Sequence, residues 1–318
     1  MLKISDFIDI CRMTQEEVKE HMQDYLTKNN YNVINEDGFL YAKGDVPVLL
    51  VAHMDTVHKE KCSQVNILEG RISSPQGIGG DDRCGIYIIM NIVNELHCSV
   101  LLCEDEEIGG VGARAFTKSN YIDDLDVNYM IEFDRKGNED AVFYHGDNKD
   151  FMKFVRENTY FTVSAGSFSD ISVLMPAAKL SAVNLSSGYY NAHTTAEYVV
   201  YDEMMDTAEA AKELIKAECD GPFEYVAREF KYTAPKYKTP LPSFQDNFLD
   251  WPSESSIDKY AQMAVDDTDI ELEVMVADED YTEVAIYVSG RTKADCWMKF
   301  FLENPNVCFN DIISHSWS

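Results

Sequence analysis

Positive charge is what this sequence has least of. Its 318 residues carry 27 Lys and Arg against 56 Asp and Glu, a formal net charge of −29. Such a surplus repels phosphate backbones and anionic headgroups, so nucleic acid and membrane surfaces are excluded as partners. It fits either plain solubility or attraction of cations, including metal ions and the ammonium end of a peptide. No apolar run approaches the roughly 20 residues that cross a bilayer. The opening Met1-Leu2-Lys3-Ile4-Ser5-Asp6 shows neither the basic region nor the apolar run of a signal peptide. Eight cysteines are scattered without a CxxC pair, and Cys84, Cys98 and Cys103 fall in expected core segments. They read as free thiols acting as small hydrophobes in a reducing cytosol, so a cytoplasmic location is expected. Repeats and low-complexity tracts are absent too.

What is present can build a sizeable core. Hydrophobic residues make up 45% of the chain and aromatics 12%, which excludes a disordered polypeptide. Ser5–Asn30 reads as one or two helices with a capping start at Thr14, and Asn32–Lys43 as a hairpin turning at Asp37-Gly38. Val46–Ala52 is a continuous apolar run suited to a strand buried on both faces. Further strands are expected at Ser99–Cys103, Val127–Phe133, Val142–His145, Tyr160–Ser164 and Leu180–Leu185, and a strand pair within Gln64–Ser73. Helices are expected over Asp82–His97, Val111–Ser119, Asp147–Asn158 and Tyr201–Glu218. Gly166–Asp170 reads as a turn. Strands alternating with helices predict an α/β fold, three layers αβα around a mostly parallel sheet.

Chemistry gathers at the strand ends. His53-Met-Asp55 follows the first buried strand, Glu104-Asp-Glu-Glu107 the second, and Asp134 the third. The turn Gly79-Gly80-Asp81-Asp82-Arg83-Cys84-Gly85 sets two adjacent carboxylates on a glycine-rich bend, and His193 lies in Asn-Ala-His-Thr-Thr-Ala-Glu197. Ligands in open α/β sheets collect at the carboxyl edge. Two His and several carboxylates there suit a two-metal hydrolytic site, since zinc takes imidazole nitrogen and carboxylate oxygen. Adjacent Glu106 and Glu107 offer one residue for proton transfer and one for coordination. Asp55, two residues beyond His53, can orient its imidazole. His21, His58, His97, His145 and His315 read as surface or capping residues without a role in this site.

These five motifs, in this order, resemble those of the co-catalytic di-zinc exopeptidases, a superfamily that includes peptidase T and the glutamyl and leucyl aminopeptidases. The resemblance spans roughly Leu40–Leu214 and says little of the chain beyond Asp220. It implies two Zn²⁺ ions, with Co²⁺ or Mn²⁺ as substitutes, held by His53, Asp81, Glu107, Asp134 and His193. Asp81 resembles the bridging carboxylate, joined to Asp82 by a cis peptide. Glu106 resembles the general base, acting with a metal-bridged hydroxide, and Asp55 supports His53. Ser169-Asp170 resembles a turn near the family's site, which places Asp170 at the substrate. Tyr189, in the loop before His193, is a second candidate substrate contact.

The intervals between ligands leave no room for an inserted lid or β-domain, so residues 1–219 are expected to form a minimal catalytic domain. Five of the nine prolines fall between Asp220 and Ser256, so 220–256 reads as a linker or arm. Residues 257–318 return to order as a small α+β unit, with a short helix near Ile257, strands near Ile270–Val276 and Glu283–Val288, a helix over Ala294–Leu302 and a strand over Val307–Ile313. The expected activity is removal of amino-terminal residues from short peptides. An amidohydrolase acting on N-acyl amino acids, or a catalytically silent binding protein on the same fold, are the alternatives. Nothing in the pattern indicates an oligomeric state.

Overall fold

The computed structural model describes residues 2–228, together with the backbone of 270–277, 283–290 and 312–317. The chain divides into two compact units, Met1–Arg228 and Glu229–Ser318. Helices α1 (Ile4–Cys11) and α2 (Gln15–Lys28) open the first unit. Thr14 caps α2: its Oγ1 accepts from the Glu17 N–H at 3.3 Å, and the Glu17 carboxylate accepts from the Thr14 N–H at 2.8 Å. The hairpin β1 (Val33–Glu36) and β2 (Phe39–Ala42) follows, then β3 (Val46–His53) and the short pair β4 (Asn66–Leu68) and β5 (Arg71–Ser73). Next come α3 (Gly80–Val93), β6 (Cys98–Cys103), α4 (Val111–Phe116) and β7 (Tyr129–Arg135). The unit continues with β8 (Asp140–Val142), α5 (Lys149–Asn158), β9 (Thr162–Ser164), α6 (Asp170–Ala178), β10 (Ala182–Ser186), β11 (Tyr189–Tyr190), β12 (Tyr198–Val200) and α7 (Tyr201–Lys216).

Eight strands form one sheet in the order β1-β2-β6-β3-β7-β10-β8-β9. The central four, β6, β3, β7 and β10, are parallel, and the hairpin β1–β2 extends one edge antiparallel. Period-two alternation along these strands sends side chains to two separate cores. Leu40, Val48, Leu50, Ala52, Val100, Leu102, Ile131 and Val183 face a core shared with α1, α2, α3, α5 and α7. Phe39, Tyr41, Leu49, Val51, Leu101, Met130 and Ala182 face the other, under α4 and α6. The fold is therefore the expected three-layer α/β arrangement. Helix α3 packs on β3 and β7 with α1 and α7 beyond it. All its residues but Asn91 are buried, which is why its sequence from Cys84 onward is apolar on nearly every face.

Three local features depart from the sequence reading. Helix α3 ends at Val93, and β8 lies at Asp140–Val142, ahead of the position expected. Residues 170–178 form a helix directly after the expected turn, in a stretch to which no element was assigned. Its sequence is short and contains Pro176, so propensity alone speaks against it, and burial of Ile171, Leu174 and Met175 supplies the drive.

The first unit also runs past the boundary expected at 219. Phe223 packs on Tyr129, Phe151 and Phe154 with ring centroids 6.2, 5.2 and 5.3 Å apart, and Glu224 and Ala227 make bridges to Leu180 and Gly146. The remainder of the proline-containing stretch, and the helices expected near 257 and over 294–302, lie outside the described residues. In the second unit β13 (Ile270–Ala277), β14 (Glu283–Gly290) and β15 (Ile312–Trp317) form an antiparallel sheet in the order β14-β13-β15. Glu273 stands opposite Tyr287 and Ser316. The last strand was expected at Val307–Ile313; the described strand is Ile312–Trp317.

A fragment ending at Arg228 is expected to fold and retain metal binding. In that fragment Phe223→Ala should lower stability by about 1–3 kcal/mol through loss of the aromatic cluster, read by urea unfolding. Equal stability of the two proteins would show that 220–228 contributes nothing to the unit.

Candidate metal centre

The parallel strands β3, β6 and β7 end side by side and deliver His53, the Glu104–Glu107 run and Asp134 to one edge of the sheet. Asp81 comes from the turn that opens α3, where the Asp81–Asp82 peptide is cis. His193 comes from the loop between β11 and β12, held at a φ of 63°, a region non-glycine residues seldom occupy.

His53 is fully buried. Its Nε2 lies 3.0 Å from Asp81 Oδ1 and 3.7 Å from Asp134 Oδ1. The Nε2 of His193, which is half-exposed, lies 3.2 Å from Asp81 Oδ2 and 2.9 Å from Glu107 Oε1. Asp81 thus turns one oxygen to each imidazole. The result is three groups of potential metal-ligand atoms: His53/Asp81/Asp134 and Asp81/Glu107/His193, which share one carboxylate, and His53/Glu106/Glu107. Glu106 lies within the same few ångströms of His53 and Glu107. All five expected ligands and Glu106 are brought together.

Each ligand is held by a second group. His53 Nδ1 is 3.1 Å from Asp55 Oδ1, and the two Asp55 oxygens accept the backbone N–H groups of Glu106 and Glu107 at 3.0 Å each. One side chain therefore orients the imidazole and pins both glutamates. Asp134 accepts from the Tyr189 hydroxyl at 3.1 Å. Its backbone is clamped by Asn184, whose amide oxygen and nitrogen bond its N–H and carbonyl at 2.9 and 2.8 Å.

Five further residues of the centre had no role assigned from sequence, among them His58, which read as a surface or capping residue but is partly buried against Glu197. Glu197 is fully buried and accepts the N–H groups of Gly79 and Asp81 at 2.9 and 3.1 Å, with His58 Nε2 at 2.7 Å. It anchors the turn that aims Asp81, and His58 is part of that anchor. Asp82 accepts from the His53 and Gly85 N–H groups at 3.2 and 2.9 Å. A Cβ at Gly85 would sit 2.5 Å from both Asp82 carboxylate oxygens, so the position admits only glycine. The buried Arg83 guanidinium donates to the Met54 carbonyl, and to that of Met13 at 3.1 Å. Glu132 lies buried in β7 with Ser169 Oγ donating to it. The signal for Glu197 was its place four residues after His193 in the same motif. Nothing local marked Glu132, because a strand glutamate facing inward looks like any other on paper.

The two expected substrate contacts are both buried. Tyr189 has its hydroxyl on Asp134, and Asp170 presents no surface to solvent, with no hydrogen-bond donor at either carboxylate oxygen. Neither position exposes a face for a substrate group.

Crowded carboxylates perturb one another. Burial, then the charges of Asp134, Asp170 and Glu107, raise the Glu106 pKa to about 9, against the opposing pull of His53. Burial and the Asp81 charge raise Asp134 to about 7. The hydrogen bond to Asp81, and then Glu107, lift His193 to about 9 despite partial burial. For Asp81 burial works toward a higher value, but His193 and His53 together hold it below the usual carboxylate range. Two imidazoles do not neutralise this set. Glu107 Oε1, although near His193, has no donor in bonding geometry. Orphaned buried oxygens, a shared carboxylate and an N/O donor set are what divalent cations require.

The fold has solved relatives. Aminopeptidase PepT from Bacillus cereus ATCC 10987 aligns over 67% of this chain and 96% of its own, with a TM-score of 0.56 and 15% identity. A tripeptidase from Staphylococcus aureus subsp. aureus Mu50 covers the same shares at TM-score 0.55 and 13% identity. An aminopeptidase from the archaeon Desulfurococcus kamchatkensis aligns over 67% of this chain and 95% of its own, at TM-score 0.51 and 14% identity. No family model matches the sequence, and no curated protein is significantly similar to it. The likeness is one of fold: this chain shares the fold of these aminopeptidases and of the tripeptidase. No helix among the described residues is long and apolar enough to cross a membrane.

Because ligands must shed protons to bind metal, loading at pH 7 should release roughly three protons or more per chain, from His53, His193 and Glu106 and in part from Asp134, whose pKa values are all raised. Metal affinity should therefore fall as the pH drops through 9 and then 7. Zinc titration calorimetry in buffers of different ionisation enthalpy measures the release. A heat independent of buffer would contradict it.

Proposed function

We propose that this protein is a zinc-dependent exopeptidase that removes amino-terminal residues from short peptides. The observation that carries this reading is Asp81, which offers one oxygen to each of two His/carboxylate groups while Glu106 stands beside both without belonging to either pair. His53, Asp81 and Asp134 would hold one ion, and Asp81, Glu107 and His193 the other. Zinc suits these donors, and Co²⁺ or Mn²⁺ accept the same types. Ions held there supply an activated water and polarise the scissile carbonyl.

The chain's own residues do the rest. Glu106 takes the proton from the nucleophile and returns it to the leaving amine. Burial and then the neighbouring carboxylates raise its carboxyl to about 9. Positive charge held at the two ligand groups would oppose that shift and favour the ionised, proton-accepting form. Asp55 keeps Glu106 and Glu107 in fixed relation to His53 through the two N–H bonds it accepts. The half-exposed His193 marks the open side, where substrate enters. Short peptides are the substrates, and free buried thiols at Cys11, Cys62, Cys84, Cys98 and Cys103 suit a cytoplasmic setting.

Two expectations test this. Elemental analysis should find two zinc ions per chain, falling to about one in His53→Ala or His193→Ala and unchanged in His97→Ala, whose ring stacks on Tyr31 away from the centre. Absence of stoichiometric metal after zinc addition would overturn the reading. Glu106→Gln should keep both ions while cleavage of a mixed peptide library, read by mass spectrometry, slows by about 10²–10⁴-fold. Glu107→Gln should lose metal and activity together. Parental rates in a fully loaded Glu106→Gln protein would refute the assignment of the base.

A further inference from the structure

To serve as a base, Glu106 must keep one direction, and its backbone is what aims it. The residue before it, Asp105, sits at a φ of 58°, in the left-handed region that Asp enters more readily than most residues but does not prefer. The angles at Asp105 set the plane of the peptide that joins it to Glu106. Asp55 accepts the N–H of that peptide, and of the next, at 3.0 Å each. It holds the peptide from one side, while the conformation of Asp105 decides how the N–H is presented. A relaxed Asp105 would turn that N–H away from Asp55 and swing Glu106 with it.

What holds Asp105 lies 90 residues away in the chain. The Gln15 side-chain amide donates from Nε2 to Asp105 Oδ1 at 3.1 Å and accepts the Asp105 N–H on Oε1 at 3.0 Å. One planar amide thus grips both the side chain and the backbone of a single residue, which requires a donor and an acceptor side by side. Its mount is rigid. Gln15 is the first residue of α2, directly after the Thr14 cap, and the Met13 carbonyl before that cap accepts from Arg83 at 3.1 Å. The same guanidinium donates to the Met54 carbonyl. The junction of α1 and α2 is therefore tied to the end of β3 and, through Arg83 itself, to the turn that carries Asp81. Glu104 has tethers of its own, accepting from Lys19 Nζ at 2.9 Å and from the Gly38 N–H at 2.8 Å.

We propose that Gln15 is a positioning residue for proton transfer: by holding Asp105 left-handed it keeps Glu106 in line with the water it deprotonates. This rests on the reading of Glu106 as the base of a peptidase. The pairing has a chemical signature. Gln15→Glu sets two carboxylates against each other where a donor met an acceptor. Combining it with Asp105→Asn restores both bonds with the roles exchanged, since the new side-chain amide donates to the new carboxylate, which also accepts the backbone N–H at 105. Neither Leu nor Glu at the first position of a helix weakens it, so loss of α2 does not enter the comparison.

The test uses the zinc-loaded full chain and the best-cleaved peptide of the mixed library. In Gln15→Leu and Gln15→Glu kcat should fall about 10–10²-fold, the scale of misplacing a reacting group by about an ångström, with KM little changed and both ions retained. Adding Asp105→Asn should recover most of the lost kcat in Gln15→Glu and none of it in Gln15→Leu. Amide hydrogen exchange over 104–110, read by mass spectrometry on the metal-free protein, should quicken in both single variants and return to the parental pattern in the rescued pair. A parental kcat in Gln15→Leu overturns the proposal, as does metal lost along with rate, or a pair that stays as slow as Gln15→Glu. Exchange that is unchanged in the single variants overturns it as well, whatever the rates. If the parent binds both ions yet cleaves no peptide, the peptidase reading itself fails and the positioning role falls with it.

Discussion

The constraint on which this structure depends is mutual repulsion among carboxylates crowded at one sheet edge. Asp81, Asp82, Glu106 and Glu132 are buried together, with Asp134 beside them, and among the described residues His53 and His193 are the cation formers within ion-pair distance of Asp81, Asp134 or Glu107. Ionised groups taken out of water without partners cost several kcal/mol each. The pKa values of Glu106 and Asp134 rise accordingly, while Asp81, placed between the two imidazoles, goes the other way. Such a cluster is tolerable as a partly protonated set, or as a cage for positive ions. The order of the pKa shifts, with Asp81 pulled down between two imidazoles and Asp55 by His53 and backbone N–H groups while Glu106 and Asp134 are pushed up, follows from which donors each carboxylate touches.

The rest of the first unit keeps that cluster dry and rigid. Two cores, one on each face of the sheet, leave the strand ends no freedom to splay, and α3 is buried nearly throughout so that Asp81 and Asp82 cannot swing into solvent. Carboxylates also serve as tie-rods. Glu197 grips the Gly79–Asp81 turn, Asp82 binds the His53 and Gly85 amides, and Asp55 joins the end of β3 to the loop after β6. Each accepts backbone N–H groups, which both positions a loop and offsets part of the cost of burying the charge.

Much of the centre was legible in the linear chain for a simple reason. A buried parallel strand is a continuous apolar run, and a polar residue at its carboxyl end stands out against it; His53, the Glu104–Glu107 run and Asp134 were visible in this way. Glu132, Asp82 and Glu197 were not given roles, because their meaning lies in which amide or hydroxyl they meet across the fold. Asp170 and Tyr189 show the reverse. Both sit close to recognisable motifs, yet packing placed them inside, one with its hydroxyl on Asp134 and the other without a donor. Helix α6 was missed since Pro176 and brevity hide a helix that only burial sustains. Phe223, beyond the expected boundary, belongs to the first unit because its ring completes a cluster built from three distant segments.

Local pattern alone thus determined the succession of strands and helices, the α/β class and the set of residue types able to bind metal, since periodicity and composition are properties of neighbours in the chain. Tertiary structure decided which of those residues share an atom's reach. It set one Asp81 oxygen against each histidine, tied Glu106 and Glu107 to His53 through Asp55, and left Ile108 and Phe168 exposed instead of in the core. Those facts depend on distances between segments far apart in sequence. Such distances are set by how two cores pack against one sheet, and no stretch of residues carries that information by itself.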